Sequence, residues 1–167
     1  MFKGNPIGLG GPEIKAGQDA PDFTAVDNGL QPVKLSASKG KVLILSAVPS
    51  LETPVCDMET RKFNEEAGKL GGNVEVWTIS MDLPFAQKRW CAATGVSNVK
   101  TLSDFRERSF GPAYGVALQD SPLAGLLARA VFVVGKDGRV THAEYVSDIT
   151  KEPNYEAALN AAKQAKG

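Results

Sequence analysis

The apolar run Val42-Leu43-Ile44-Leu45-Ser46-Ala47-Val48, followed closely by Thr53-Pro54, constrains this chain more than any other feature. The run has the length and branched content of a fully buried strand. Thr53 is a favoured N-cap, and Pro54 suits the first helical position, where a missing N–H costs nothing. A helix is therefore expected from Pro54 to about Leu70, stopped by Gly71-Gly72. Cys56 becomes its third residue, beside unpaired backbone N–H groups and the positive end of the helix dipole. Such positions favour the thiolate, the nucleophilic form of sulfur. Cysteine is also a small hydrophobe that is often buried and inert. Chemistry alone leaves both roles open for Cys56, although the charged residues Asp57, Glu59, Arg61 and Lys62 place this helix start at a surface. Val55, Met58, Phe63, Ala67 and Leu70 trace the apolar stripe expected to face a core.

The rest of the chain extends the same alternation. Gly and Pro crowd residues 1–21, which suits a short extended hairpin or arm. Two short strands flank the turn Asp27-Asn28-Gly29 between Phe23 and Leu35. Val74–Ser80 reads as a strand, and Asp82 as the cap of a helix that begins near Pro84, runs to about Ala93 and ends before Gly95. A short strand at Val99–Leu102 precedes a helix over Arg106–Tyr114, interrupted at Gly111-Pro112. Ala130–Val134 and Arg139–Val146 form a hairpin about Gly135-Lys136-Asp137-Gly138, and Pro153 or Asn154 opens a final helix. This order predicts one α/β domain over residues 1–167. Its fold is thioredoxin-like, a central mixed sheet flanked by helices, with an N-terminal β-hairpin extension. Cys56 then lies at the carboxyl end of the sheet, where open α/β sheets place their sites.

Composition narrows the function. With 19 basic and 19 acidic residues the net charge is zero, so no attraction to nucleic acid or an anionic membrane is encoded. No apolar stretch approaches the length that spans a bilayer, and the start Met1-Phe2-Lys3-Gly4-Asn5-Pro6 lacks the apolar core of a secretion signal. The cytoplasm is the default location. Two cysteines, Cys56 and Cys91, and one histidine, His142, are too few for a four-ligand structural zinc site. They also disfavour a Cys–His catalytic pair, and His142 is expected to be structural or solvated. No metal or cofactor is expected.

Pro49-x-x-x-Thr53-x-x-Cys56 resembles the active-site motif of the peroxiredoxins. The strings Val48–Cys56, Asp82-Leu83-Pro84-Phe85-Ala86-Gln87 and Leu127-Ala128-Arg129-Ala130-Val131 are similar to the thiol peroxidase subfamily. The likeness continues through Glu152-Pro153-Asn154-Tyr155-Glu156-Ala157-Ala158-Leu159. This resemblance implies that Cys56 is the peroxidatic cysteine, attacking hydrogen peroxide or an organic hydroperoxide and becoming a sulfenic acid. It implies that Thr53 sets a hydroxyl near sulfur and peroxide, that Pro49 shields the pocket, and that Arg129 supplies a fixed cation. By itself Arg129 reads as a solvated charge before a strand, and Cys91 as an inert thiol beside Trp90. The resemblance makes Cys91 the resolving cysteine, joined to Cys56 in an intrachain disulfide that thioredoxin reduces, and implies a homodimer. Because a disulfide holds Cα atoms about 4.4–6.8 Å apart, the two helices are expected to hold the thiols farther apart when reduced, and one or both to unwind locally during turnover. Two rivals share the fold. A thiol–disulfide oxidoreductase would carry Cys-x-x-Cys, but position 59 is Glu. A thioredoxin-like binding domain would keep both cysteines structural.

Overall fold

The computed structural model describes residues 1–167. Its elements are β1 (Leu9–Gly10), β2 (Thr24–Val26), β3 (Pro32–Lys34), a 3-10 turn at Leu35–Ser38, β4 (Val42–Ala47), α1 (Pro54–Leu70), β5 (Val74–Ser80), α2 (Pro84–Thr94) and β6 (Val99–Ser103). There follow α3 (Phe110–Ala113), β7 (Ala117–Leu118), β8 (Ala130–Val134), β9 (Val140–Tyr145) and α4 (Tyr155–Lys166). Seven strands form one sheet in the order β3-β2-β6-β5-β4-β8-β9. β4, β5 and β6 run parallel, as their helical crossovers require, and the remaining pairs are antiparallel.

Two-residue periodicity divides the sheet into two buried faces. Leu43, Leu45 and Ala47 point to one face with Phe132, Trp77 and Leu102. Val42, Ile44 and Val48 point to the other with Val131 and Val133, beneath Phe63 of α1, Trp90 of α2 and Ala158, Leu159 and Ala162 of α4. The helices are shared unequally. The first face has only the one-turn α3 and non-helical chain, including Phe23, Tyr114 and Leu127, to cover it.

The N-terminal arm is more than a hairpin. Phe2 and Asn5 close a single-pair turn, but Leu9–Gly10 then pairs with β7, so the extension is sewn to the body. Where it crosses residues 112–115 both backbones need glycine. Gly11 has φ +102° and Gly115 φ +64°, and a Cβ on Gly11 would sit 1.9 Å from the Pro112 carbonyl oxygen.

Three local expectations change. Helix capping at α2 falls to Leu83, because the Asp82 carboxylate accepts hydrogen bonds from the Ser50 and Ser80 hydroxyls and the Leu51 N–H. The expected helix over Arg106–Tyr114 shrinks to Phe110–Ala113, started by Asp104, whose carboxylate accepts from the N–H groups of Ser109, Phe110 and Gly111. Met58 is exposed, and the buried face of α1 instead carries Cys56, Glu59, Thr60, Phe63 and Leu70.

Candidate active site

Sheet register builds the site. The antiparallel pairing of Ala47 with Ala130 places Arg129 beside the end of β4, where the chain leaves for α1. Thr53 is the N-cap position and Pro54 opens α1, so Cys56 occupies the first turn as its spacing requires. The Arg129 guanidinium spans the gap: Nη2 donates to Cys56 Sγ at 3.3 Å and Nη1 to Glu59 Oε2 at 2.5 Å. Nε and Nη2 also donate to the Ile149 carbonyl at 3.0 and 2.8 Å. The opposite oxygen of Glu59 accepts from the Ser46 hydroxyl at 2.8 Å.

This cluster is buried. Cys56 and Glu59 are 0% exposed and Arg129 2%. The helix starts at the surface as expected, with Glu52, Thr53 and Pro54 exposed, but Glu59 is corrected from a surface charge to a buried one that faces inward with Cys56. The residues before α1 fold over the thiol: Pro49 is buried, Leu51 is 1% exposed, and Asp82 holds Ser50 and Leu51 in place. Cys56 thus belongs to an apolar cluster with Val48, Leu51, Phe63, Trp90 and Val131.

The electrostatics follow from burial. Desolvation pushes the Glu59 carboxyl above its ordinary range, with Arg129 and the Ser46 hydroxyl pulling only partly against it. Burial alone would weaken the Arg129 cation, but the charges of Cys56 and Glu59 outweigh it and hold the guanidinium more firmly protonated. One cation therefore faces two acids in a water-poor site. Two anions against it would leave a net buried charge, so thiolate at Cys56 favours a proton on Glu59.

The remaining expected residues are distributed around this centre. Thr53 is exposed and donates its hydroxyl proton to the Ser50 carbonyl at 2.7 Å, rather than capping α1 or bonding Cys56. Cys91 is half-buried on α2, and both cysteines are free. Its sulfur lies 3.5 Å from Thr101 Oγ1 on β6, whereas Cys56 contacts the residue before β8. Three strand steps, about 14 Å at the usual spacing, separate β6 from β8. His142 sits on β9 with a buried, unpartnered Nε2. No His, Cys, Asp and Glu side chains gather in a group of three that could hold a metal ion. Glu59, Ser46 and Ile149 were not expected as site residues. The available signal was that Glu59 lies three residues after Cys56 and four before Phe63, on one helix face.

Comparison with known proteins gives the family. The redoxin family model matches residues 15–159. Thiol peroxidase of Halalkalibacterium halodurans is 58% identical over 98% of this chain and 96% of its own length. The Bacillus subtilis thiol peroxidase is 55% identical over 97% of this chain and 95% of its own. The chain belongs to the thiol peroxidase branch of the redoxin family. As a member of that branch it is a peroxidase, an oxidoreductase that works through a protein thiol. A peroxiredoxin-like protein of Aquifex aeolicus has a similar structure, with a TM-score of 0.93 and 45% identity over 98% of this chain and 95% of that one. A thiol peroxidase of Chromobacterium violaceum keeps the fold, with a TM-score of 0.87, at 17% identity over 99% of this chain and 95% of that one. No helix of this thiol peroxidase is long and apolar enough to cross a membrane.

Proposed function

We propose that this thiol peroxidase reduces hydrogen peroxide and organic hydroperoxides at Cys56. Cys91 is then the resolving cysteine and thioredoxin the reductant. The observation that carries the reading is the guanidinium of Arg129 fixed 3.3 Å from Cys56 Sγ, with both side chains buried. A fixed cation there stabilises both the attacking thiolate and the charge that develops on the departing oxygen. The thiolate attacks one peroxide oxygen, the O–O bond breaks, and water or an alcohol leaves after taking a proton. Pro49 keeps solvent from the sulfur, and the Thr53 hydroxyl, with its proton committed to Ser50, keeps lone pairs to accept a hydrogen bond from the incoming hydroperoxide. Because Cys56 is sealed, residues 49–53 open to admit substrate.

Resolution needs more movement. The Cys91 sulfur attacks the sulfenic acid, the S–O bond breaks, and water departs as the S–S bond forms. The first turn of α1 and the segment bearing Cys91 unwind locally to bring the sulfurs together. Treating the reduced protein with one equivalent of hydrogen peroxide and mapping the peptides tests this sequence. A Cys56–Cys91 disulfide is expected in the parent, and a dimedone-reactive sulfenic acid at Cys56 in Cys91→Ser. A sulfenic acid trapped on Cys91, or none on Cys56, sinks the assignment.

The homodimer has a candidate surface beside this site. Leu30, Leu83, Phe85 and Phe105 are exposed large hydrophobics around one groove of about 290 Å³, formed with Val26, Pro84 and Arg106. It adjoins the Asp82 clamp on the active-site loop, and a chain of zero net charge does not repel its own copy. Phe85 is 67% exposed, so Phe85→Glu is expected to yield monomers in sedimentation equilibrium without unfolding the chain. An unchanged dimer would place the interface elsewhere.

A further inference from the structure

Helix α2 has an unusual seat. Val74 and Val76 of β5 and Val99 of β6 continue the apolar face beneath α1. By the same alternation Thr78 and Ser80, then Thr101 and Ser103, occupy that face toward the carboxyl ends of the strands. The floor under α2 is therefore lined with hydroxyls. The helix buries only Gln87 and Trp90. Gln87 Nε2 donates to the Ser80 hydroxyl and the Leu102 carbonyl at 3.0 and 2.9 Å, while Gln87 Oε1 and Thr78 Oγ1 are buried without a partner. Lifting α2 from this floor exposes Trp90, its one large buried apolar side chain, and lets water reach polar groups now unsatisfied.

Cys91 sits on this floor with two partners. The Thr101 hydroxyl donates its proton to Asn28 Oδ1 at 2.9 Å. Having one proton, that hydroxyl meets Cys91 Sγ at 3.5 Å as an acceptor, so the thiol is the donor. Asn28 Nδ2 closes the circuit by donating to Cys91 Sγ at 3.8 Å. We propose that Asn28 and Thr101 are positioning residues for the resolving step, holding Cys91 as a protonated thiol in a closed ring of three hydrogen bonds until α2 leaves its seat. The proposal rests on Cys91 being the resolving cysteine. While the ring is intact, ionising Cys91 forces Thr101 to turn its proton toward sulfur and abandon Asn28. Neighbouring stays set when release occurs: Trp90 Nε1 donates to Asp57 Oδ1 at 3.0 Å, and Arg89 pairs with Glu52 in the active-site loop. When the first turn of α1 and its preceding loop move, both stays are lost together and the thiol is freed next to the sulfenic acid.

The test measures Cys91 alkylation against pH in reduced Cys56→Ser protein. Asn28→Ala removes the long 3.8 Å donor to sulfur but frees the Thr101 proton at 3.5 Å, so alkylation at neutral pH is expected to rise about two- to threefold, less than the scale of one full hydrogen bond, with its pH midpoint moving down. Asn28→Asp keeps the acceptor for Thr101 and adds a negative charge, so the midpoint is expected to move up. Thr101→Ser retains the hydroxyl and is expected to match the parent. Midpoints that stay put, or that move together in both Asn28 variants, overturn the ring, and thermal denaturation of each variant separates these shifts from general loosening. In protein that retains Cys56, one equivalent of peroxide should close the disulfide faster in Asn28→Ala than in the parent. A parent that forms no Cys56–Cys91 disulfide removes the resolving role, whereas the alkylation profile still judges the ring on its own.

Discussion

Arg129→Met is expected to slow sulfenic acid formation at Cys56 by roughly a hundredfold or more, the cost of removing one preorganised donor from a charge-developing site. The same change is expected to destabilise the fold, because Met leaves the Glu59 carboxyl and the Ile149 carbonyl without their guanidinium partners. Breaking a buried pair by removing one member costs about 3–5 kcal/mol, which lowers the denaturant midpoint. These two effects have different owners. Adding Glu59→Gln to Arg129→Met removes the stranded carboxyl, so part of the lost stability should return while the reaction with peroxide stays slow. If rate and stability recover together, Arg129 matters for packing and not for the sulfur. A double-mutant cycle on both readouts makes that separation quantitative.

Glu59→Gln in the otherwise unaltered protein is expected to flatten the pH dependence of stability. Burial, opposed only in part by Arg129 and Ser46, raises the Glu59 carboxyl in the folded protein. Between the ordinary carboxyl value and this raised one, the folded state holds a proton that the unfolded state has released. Stability then falls as pH rises, since its slope follows the protons bound by the unfolded state minus those bound by the native state. The contribution is fully present below the unfolded carboxyl range, and each pH unit inside the window removes up to about 1.36 kcal/mol. Gln keeps an acceptor for Arg129 without a proton to lose. Parent and variant should therefore converge in acid and diverge toward neutral pH, with the variant the more stable. Chemical denaturation across that range checks the claim. Parallel curves would mean that Glu59 stays ionised in the fold throughout.

What the sequence revealed depended on how far apart the interacting residues lie. Thr53, Pro54 and Gly71 bound α1 by local backbone rules, so the helix matches its expected ends from Pro54 to Leu70. Apolar, β-branched runs and the turn Gly135-Lys136-Asp137-Gly138 likewise foretold β5 and the β8–β9 hairpin. Arg129 contacts Cys56 across 73 positions of sequence, through a strand register that no local pattern encodes. Only its resemblance to a family drew attention to it. Glu59 was misplaced because charge near a helix start ordinarily means solvent, whereas here Arg129 and Ser46 supply the partners that make burial tolerable. Asp82 had the right chemistry for a cap but serves a loop distant in sequence. β1 and β7 span two residues each, too short to leave a periodic signal, and exist because the arm crosses at Gly11 and Gly115.

The direct test of the Arg129–Cys56 contact is the rate of thiol alkylation at a fixed neutral pH in reduced protein carrying Cys91→Ser, so that only Cys56 reports. Arg129→Met should slow that reaction by roughly tenfold or more, the scale of one hydrogen bond from a charged donor to the reacting sulfur. Equal or faster alkylation in Arg129→Met would contradict the account.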